Sequence, residues 1–583
     1  MTKKKLLSLI CITALTTSLL ACGAKEETTR SNDNSGKSGG NSSVGEVLDN
    51  FFTQSNTADT STFTTATSKS EVQTEGAYYP AASDYSEEMY MMTDSITAMP
   101  AEKSMMDGYY ESDFNTEEYN YIKENSFLSV ETSPLSTFAA DVDTGSYTNF
   151  RRMLNDGYRL EDIPQGAIRV EEMINYFDYA AVESKDDESR FGIWYESNIC
   201  PWNEDHELLV LTVQAKDIDL DYVGNNFVFL IDSSGSMNTQ DKGAMAIDSF
   251  KLLAETLTED DRVSIVTYSG SSATILDSCP GNKYNKICKA LDSIKFGGGT
   301  NGSGGITAAY DLAAENFMDG GNNRVIIASD GDMNLGITSQ SGLTELITEQ
   351  KETGVFLTVL GYGSGNYSDA NMESIADCGN GNYYYIDCLE EAERVLVDEL
   401  KQTTITVAKD VKLQVEFNPV EVAEYRLIGY ENRTMAAEDF DDDTKDGGET
   451  GAGQTVTVLY ELVRNDNHTA DSGLKYQSGR ALTDEALNGE ILTLSIRYKE
   501  PDEDKSVEEN FSVMANHGSY NKMSKDFAFA AGVAELAMLI NDSDYMGTTT
   551  LDSAIALLRE GLSYNTPYRE QLFNMLCELA DKN

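Results

Sequence analysis

Between residues 224 and 402 the chain alternates short apolar runs with longer segments in which apolar residues recur every three or four positions. The runs are Phe227–Ile231, Val263–Tyr268, Arg324–Ala328, Val355–Leu360 and Tyr383–Ile386. Short apolar runs of this kind read as strands buried on both faces. The segments Gly243–Leu257, Lys283–Ile294, Ile306–Phe317, Gly342–Lys351 and Leu389–Leu400 read as helices. Strand and helix in alternation predict an α/β domain over 224–402, a doubly wound, Rossmann-like, mostly parallel sheet with crossover helices.

The flanks read differently. Over 115–223 the pattern predicts a strand at Leu135–Asp143, helices at Asn149–Asn155 and Ile168–Phe177, and extended segments at Phe191–Glu196 and Leu208–Gln214. Over 403–583 it predicts strands at Thr403–Phe417, Tyr425–Leu427, Thr455–Leu462 and Leu492–Tyr498. Helices at Phe527–Ile540, Ser553–Glu560 and Pro567–Leu579 close the chain. The two β-rich stretches on either side of the α/β domain are expected to meet in one sandwich-like body. The α/β domain would be inserted into that body, and the last helices would pack on it.

The first 114 residues carry no such periodicity beyond the start. Lys3, Lys4 and Lys5 precede the apolar stretch Leu6–Leu20, whose 15 residues fall short of the roughly 18 needed to span a bilayer. The stretch runs into Leu19-Leu20-Ala21-Cys22, which resembles the lipobox of bacterial lipoprotein signals. The resemblance implies a signal at 1–21 and lipid on Cys22, each buried methylene adding about 0.8 kcal/mol of membrane affinity. The expectation is an extracytoplasmic protein, lipid-anchored to a bacterial membrane. Residues 22–114 then form a disordered acidic tether, rich in Ser, Thr, Asn and Gly, with Tyr and Met in its second half.

Charge narrows the function. The chain has 43 Lys+Arg against 98 Asp+Glu, a formal net charge of −55. Nucleic-acid binding is excluded, because it needs basic surface to release phosphate counterions. The 3 His, at 206, 468 and 517, leave no basis for a three-imidazole zinc site. Beyond Cys22, six Cys remain (Cys200, Cys279, Cys288, Cys378, Cys388 and Cys577), with Cys279/Cys288 and Cys378/Cys388 the local pairings. Spacing does not choose among the possible connectivities.

One constellation carries chemistry. The first strand of the α/β domain runs into Asp232-Ser233-Ser234-Gly235-Ser236. Thr300 follows Gly297-Gly298-Gly299 in a loop between two helices, and the strand Arg324–Ala328 ends in Ser329-Asp330-Gly331. Parallel sheets gather such strand-end groups at one edge. Asp232 and Asp330 offer two negative charges; Ser234, Ser236 and Thr300 offer neutral oxygens. This set suits a hard divalent cation, Mg²⁺ first, with Mn²⁺ and Ca²⁺ as the other candidates.

The pattern Asp232-x-Ser234-x-Ser236, Thr300 and Asp330 resembles the metal-ion-dependent adhesion site of von Willebrand factor type A (VWA) domains. Further segments resemble a bacterial family of VWA lipoproteins of the YfbK type. They include Val170-Glu171-Glu172-Met173-Ile174-Asn175-Tyr176-Phe177 and Cys200-Pro201-Trp202-Asn203 before the domain, and Phe417-Asn418-Pro419 and Tyr425–Arg433 after it. The resemblance runs from about residue 115 to the end and implies metal-dependent binding of a protein ligand that offers a carboxylate to the metal. The alternatives are a metal-assisted hydrolase, which lacks an evident general base, and a metal-independent envelope scaffold or assembly factor working through the tether.

Three other motifs lack residues that their chemistry needs. Asp143-Thr144-Gly145-Ser146 mimics an aspartic-protease signature, but the one second candidate, Asp471-Ser472-Gly473, is followed by Leu474. Ser519-x-x-Lys522 lacks the Lys-Thr-Gly partner of acyl-transfer enzymes. Asp441–Gly447 hints at a calcium loop, yet Thr444 and Gly453 stand where acids belong.

Overall fold

A computed structural model of the chain describes residue 119 and residues 122–582, except 141–142, 180–181, 183–188, 218–223, 300–301, 332–346, 348–352, 364–371, 373–374, 377, 380, 401, 403–404, 446, 466–481, 502, 504, 517–521 and 564–565. The signal, Cys22, the tether, Thr300 and all but Ile347 of the expected helix Gly342–Lys351 lie outside the described residues.

The region before the α/β domain supplies strands β1 (Leu128–Ser129) and β2 (Leu135–Ala139), helices α1 (Gly145–Asn155) and α2 (Val170–Asn175), and strands β3 (Phe191–Cys200) and β4 (Asn203–Ala215). The α/β domain follows in the order β5 (Asn225–Asp232), α3 (Met245–Thr256), β6 (Arg262–Tyr268), β7 (Ser272–Pro280), α4 (Tyr284–Leu291), α5 (Gly302–Glu315), β8 (Asn322–Ser329), β9 (Phe356–Tyr362), β10 (Tyr383–Ile386) and α6 (Leu389–Glu393). Its sheet has the order β10-β9-β8-β5-β6-β7. Every pair is parallel except β6 with β7.

The period of two in a strand divides β5 between the two faces of this sheet. Phe227, Phe229 and Ile231 pack with Phe250, Leu253 and Ile287 on one side. Val228 and Leu230 pack with Ile306, Ala309 and Tyr310 on the other. With both faces covered, no polar alternation survives in the sequence, and each large side chain so buried contributes about 1.5–3 kcal/mol.

The flanks do meet. Strands β11 (Thr406–Phe417), β12 (Val422–Ile428), β13 (Thr434–Met435), β14 (Gly448–Gly451), β15 (Thr455–Arg464), β16 (Glu490–Lys499) and β17 (Ser506–Met514) follow the α/β domain. One sheet has the order β1-β12-β15-β4-β3 and the other β13-β2-β11-β16-β17, with β14 also on β11. Pairing of β4 with β15 and of β2 with β11 draws both sheets from both sides of the insertion. Neither flank could complete its sheet alone. Leu209, Leu211 and Val213 of β4 point into the sandwich with Leu413, Val415 and Leu494.

Leu208 and Val210 point the other way, against α1, α2 and the closing helices α7 (Lys525–Ile540), α8 (Leu551–Gly561) and α9 (Pro567–Lys582). Helix α7 starts where Ser524 Oγ accepts from Phe527 N at 3.0 Å, a cap that satisfies one of the free N–H groups. Helix α7 is buried nearly all round. Among the described residues, no helix is long and apolar enough to cross a membrane.

Several expected elements change. The strand at Leu135–Asp143 ends at Ala139, and α1 begins at Gly145 rather than Asn149. Ser146, Tyr147 and Thr148 are buried in α1 although they break the apolar spacing. Strands β7 and β17 were not expected: both are sheet edges with several exposed residues, so neither shows an apolar run. Cys200, Cys279, Cys288, Cys388 and Cys577 are free thiols. Cys378 packs on one face of the α/β sheet, whereas Cys388 opens α6, whose Ala392 belongs to the opposite face. Cys279 is buried, while Cys288 sits one helical step away from the inward-facing Ile287.

Candidate functional site

Asp232 is the last residue of β5, and Asp330 follows the last residue of β8. These strands are neighbours. The chain moves from β5 to β6 on one side and returns to β8 on the other, so the two acids flank the point where strand order reverses. Open α/β sheets place ligands in the crevice at such a point.

Asp232 is fully buried. Its Oδ1 accepts from Ser234 N at 2.8 Å. Its Oδ2 is buried with no hydrogen-bond partner. Burial pushes the carboxyl up to about 6, the Ser234 N–H opposes the rise, and the charge of Asp330 adds to it. Ser234 Oγ and Ser236 Oγ lie 3.0 Å apart. Ser233 fastens the loop to β6, because its N and Oγ both donate to Tyr268 O, at 2.8 and 3.0 Å. Tyr268 lies buried beside the site, and Gly305 of α5 leaves room for it: a Cβ there would come within 2.6 Å of Tyr268 Cβ.

The glycine-rich segment docks on the same loop. Gly297 N donates to Ser233 O at 2.8 Å, and Gly235 N donates to Gly298 O at 3.3 Å. Gly298 has a φ of +99°, a backbone that favours glycine. This brings the residues before Thr300 alongside Asp232–Ser236, while Thr300 itself lies outside the described residues.

Asp330 is also buried, with Oδ1 lacking a partner. Its Oδ2 accepts from Lys242 Nζ at 3.1 Å. Lys242 belongs to a widened helical turn at Gln240–Ala244, ahead of α3. The sequence reading missed it, since nothing in a single Lys points to a carboxylate 88 residues away.

The donor set fits a hard divalent cation. It holds carboxylate and hydroxyl oxygens and no thiol or imidazole. Two of the four carboxylate oxygens are buried without a donor, an arrangement that costs free energy unless something else supplies positive charge.

Over 474 residues the chain is 39% identical to the uncharacterized protein YfbK of Escherichia coli (strain K12), covering 80% of this chain and 81% of that protein. The chain belongs to the YfbK family. A model described as the C-terminal region of YfbK matches residues 402–582, a von Willebrand factor type A domain model matches 226–398, and a von Willebrand factor model matches 113–210. The α/β domain is thus a VWA domain. Weaker likeness extends to the magnesium-chelatase 67 kDa subunit of Heliobacterium mobile, 26% identical over 28% of this chain and 26% of that protein. Among solved structures, a von Willebrand factor type A protein from Catenulispora acidiphila covers 67% of this chain and 90% of its own at 15% identity, with a TM-score of 0.38.

The rival motifs take structural places. Asp143 is buried and accepts from Arg433 Nη2 at 3.1 Å and Tyr383 N at 3.3 Å. It ties the N-terminal region to β10 and to the segment after β12. Asp443 accepts from Arg497 Nη2 at 2.9 Å and Ser506 Oγ at 2.6 Å, so the acidic loop is tied to neighbouring strands. His206 Nδ1 lies 2.6 Å from Glu461 Oε1 in the sandwich. Asp471–Gly473 and Ser519 lie outside the described residues.

Proposed function

We propose that this member of the YfbK family binds a protein partner through a divalent ion, Mg²⁺ first, held by Asp232, Ser234, Ser236, Thr300 and Asp330. The observation that carries the reading is the pair of buried, donor-free oxygens, Asp232 Oδ2 and Asp330 Oδ1, at the ends of adjacent strands. Bound there, the ion would supply a Lewis-acidic position open to a partner's carboxylate. Ser234 and Ser236 would add oxygens without adding charge, leaving that position electrophilic. The same reading anchors the protein outside the cytoplasm through lipid on Cys22, with residues 22–114 as the tether.

Thermal unfolding of the protein with chelator, Mg²⁺, Mn²⁺ or Ca²⁺ tests the site. An ion at about 100 times its dissociation constant stabilises the fold by about 2.7 kcal/mol. That shift is expected in the wild type and absent in Asp232→Ala. Equal shifts in both proteins would place the ion elsewhere. Incorporation of labelled fatty acid, lost in Cys22→Ala, tests the anchor.

A further inference from the structure

Lys242 is built into the site rather than draped over it. Its side chain is 10% exposed, against 0% for Asp330. Its aliphatic stem crosses Gly363, just after β9, where a Cβ would come within 2.3 Å of Lys242 Cγ. Gly363 has a φ of +77°, and Tyr385 donates its hydroxyl to Gly363 O at 2.7 Å. The turn that carries Lys242 is fixed as well. Gly243 N donates to Met237 O at 2.9 Å, and a Cβ on Gly243 would come within 2.4 Å of Phe296. The ammonium is therefore held on Asp330 Oδ2 from two sides.

We propose that Lys242 is a fixed internal counter-charge that weakens the site's hold on the divalent ion and leaves the loaded site positive, selecting an anionic ligand group. This rests on the metal-dependent reading above. The two carboxylates and one ammonium sum to a single negative charge, so a divalent ion leaves a single positive charge. One ligand carboxylate then brings the site to neutrality. Without Lys242, the ion alone would neutralise the two acids, and the attraction for an anionic ligand would be smaller. Charges a few ångströms apart in a partly buried site interact strongly enough for this difference to matter. Lys242 also offsets the charge of the buried Asp330 when no ion is bound.

The test is a Mn²⁺ titration of the full-length protein in detergent, read by the electron paramagnetic resonance of free Mn²⁺. Four variants accompany the wild type: Lys242→Met, Lys242→Gln, Lys242→Arg and Asp232→Ala. Both neutral variants should bind Mn²⁺ at least about tenfold more tightly than the wild type. Lys242→Arg should stay within about threefold of the wild type, because the charge is kept. Circular dichroism establishes which variants fold. If Lys242→Met does not, Lys242→Gln, whose amide can still donate to Asp330, carries the comparison. Unchanged or weaker Mn²⁺ binding in the folded neutral variants overturns the proposal, since a purely positioning lysine would lose affinity on removal. Failure of the metal reading itself looks different: no saturable binding in the wild type or in any Lys242 variant, or binding unaltered in Asp232→Ala.

Discussion

Among the described residues of the VWA domain, two pairs of acids differ in the partners they find. Asp232 and Asp330 stand at the carboxyl edge of the sheet with two oxygens unpaired. Asp387 and Glu391 stand after β10 and in α6, fully engaged. Arg151 Nε donates to Asp387 Oδ2 at 2.7 Å, and Arg151 Nη2 donates to Glu391 Oε2 at 2.8 Å. Arg394 Nε donates to Glu391 Oε1 at 2.9 Å, and Tyr176 donates its hydroxyl to Glu391 Oε2 at 2.7 Å. Burial would raise the Glu391 carboxyl, but Arg394 and Arg151 outweigh it and hold it below the ordinary range. At Asp232 burial goes unopposed by any arginine, and the carboxyl rises to about 6.

The contrast separates a joint from a candidate site. Arg151 comes from α1 in the N-terminal region and also donates to Gln571 of α9 at 2.9 Å. The paired acids thus fasten the last part of the VWA domain to helices on both sides of the insertion. Bidentate guanidinium contacts fill carboxylate lone pairs and leave nothing for a ligand. A lysine fills one lone pair and leaves the rest.

The largest expected effect lies at the joint. Arg151→Met strips Asp387 and Glu391 of a shared cation and should destabilise the protein by about 3–5 kcal/mol, measured by denaturant unfolding. A loss near zero would reduce the joint to incidental contact. Next comes the matched pair of acid-to-amide changes in metal-free protein. Glu391→Gln should lower the melting temperature, whereas Asp232→Asn should leave it unchanged or raise it, because burial disfavours the charged carboxylate at Asp232. Equal losses would erase the distinction between the two regions.

The pH dependence should also run in opposite directions. The folded Asp232 carboxyl lies above its unfolded value, so in metal-free protein its contribution to stability falls as pH rises from about 4 to about 6. The folded Glu391 carboxyl lies below its unfolded value, so its contribution is present above the ordinary carboxylate range and is lost as pH falls through it. Melting curves of the wild type against Asp232→Asn and against Glu391→Gln, taken from pH 3 to 7, should diverge with opposite slopes, the first between about pH 4 and 6 and the second at the acid end. The smallest effect is expected on the surface. Arg159 pairs with Glu161 and Asp162 in the open, where solvent screens the charges. Arg159→Ala should leave the melting temperature unchanged; a clear drop would mean that exposure does not separate these pairs.

The architecture was legible where burial imposes a pattern. Strands β5 and β10 are buried throughout and β6, β8 and β9 at all but their first residue, so their apolar runs stand out in the sequence. The edge strands β7 and β17 are half exposed, and composition does not mark them. Burial of Ser146 and Thr148 in α1 is equally invisible, because neighbours accommodate them: Ser146 Oγ donates to Glu172 Oε2 at 2.7 Å, and Thr148 Oγ1 donates to Gly145 O at 3.0 Å.

By itself the sequence determined the alternation that builds the VWA sheet, the strand-end acids Asp232 and Asp330, and the hydroxyls of Ser234 and Ser236. Those features follow from local periodicity and from residue type at fixed spacing. The tertiary structure alone decided which acids are neutralised. Lys242 reaches Asp330 across 88 residues, and Arg151 reaches Glu391 across 240. No local pattern encodes such pairings, because a charged side chain finds its partner only after packed strands and helices have closed the distance and excluded the water that would otherwise screen it.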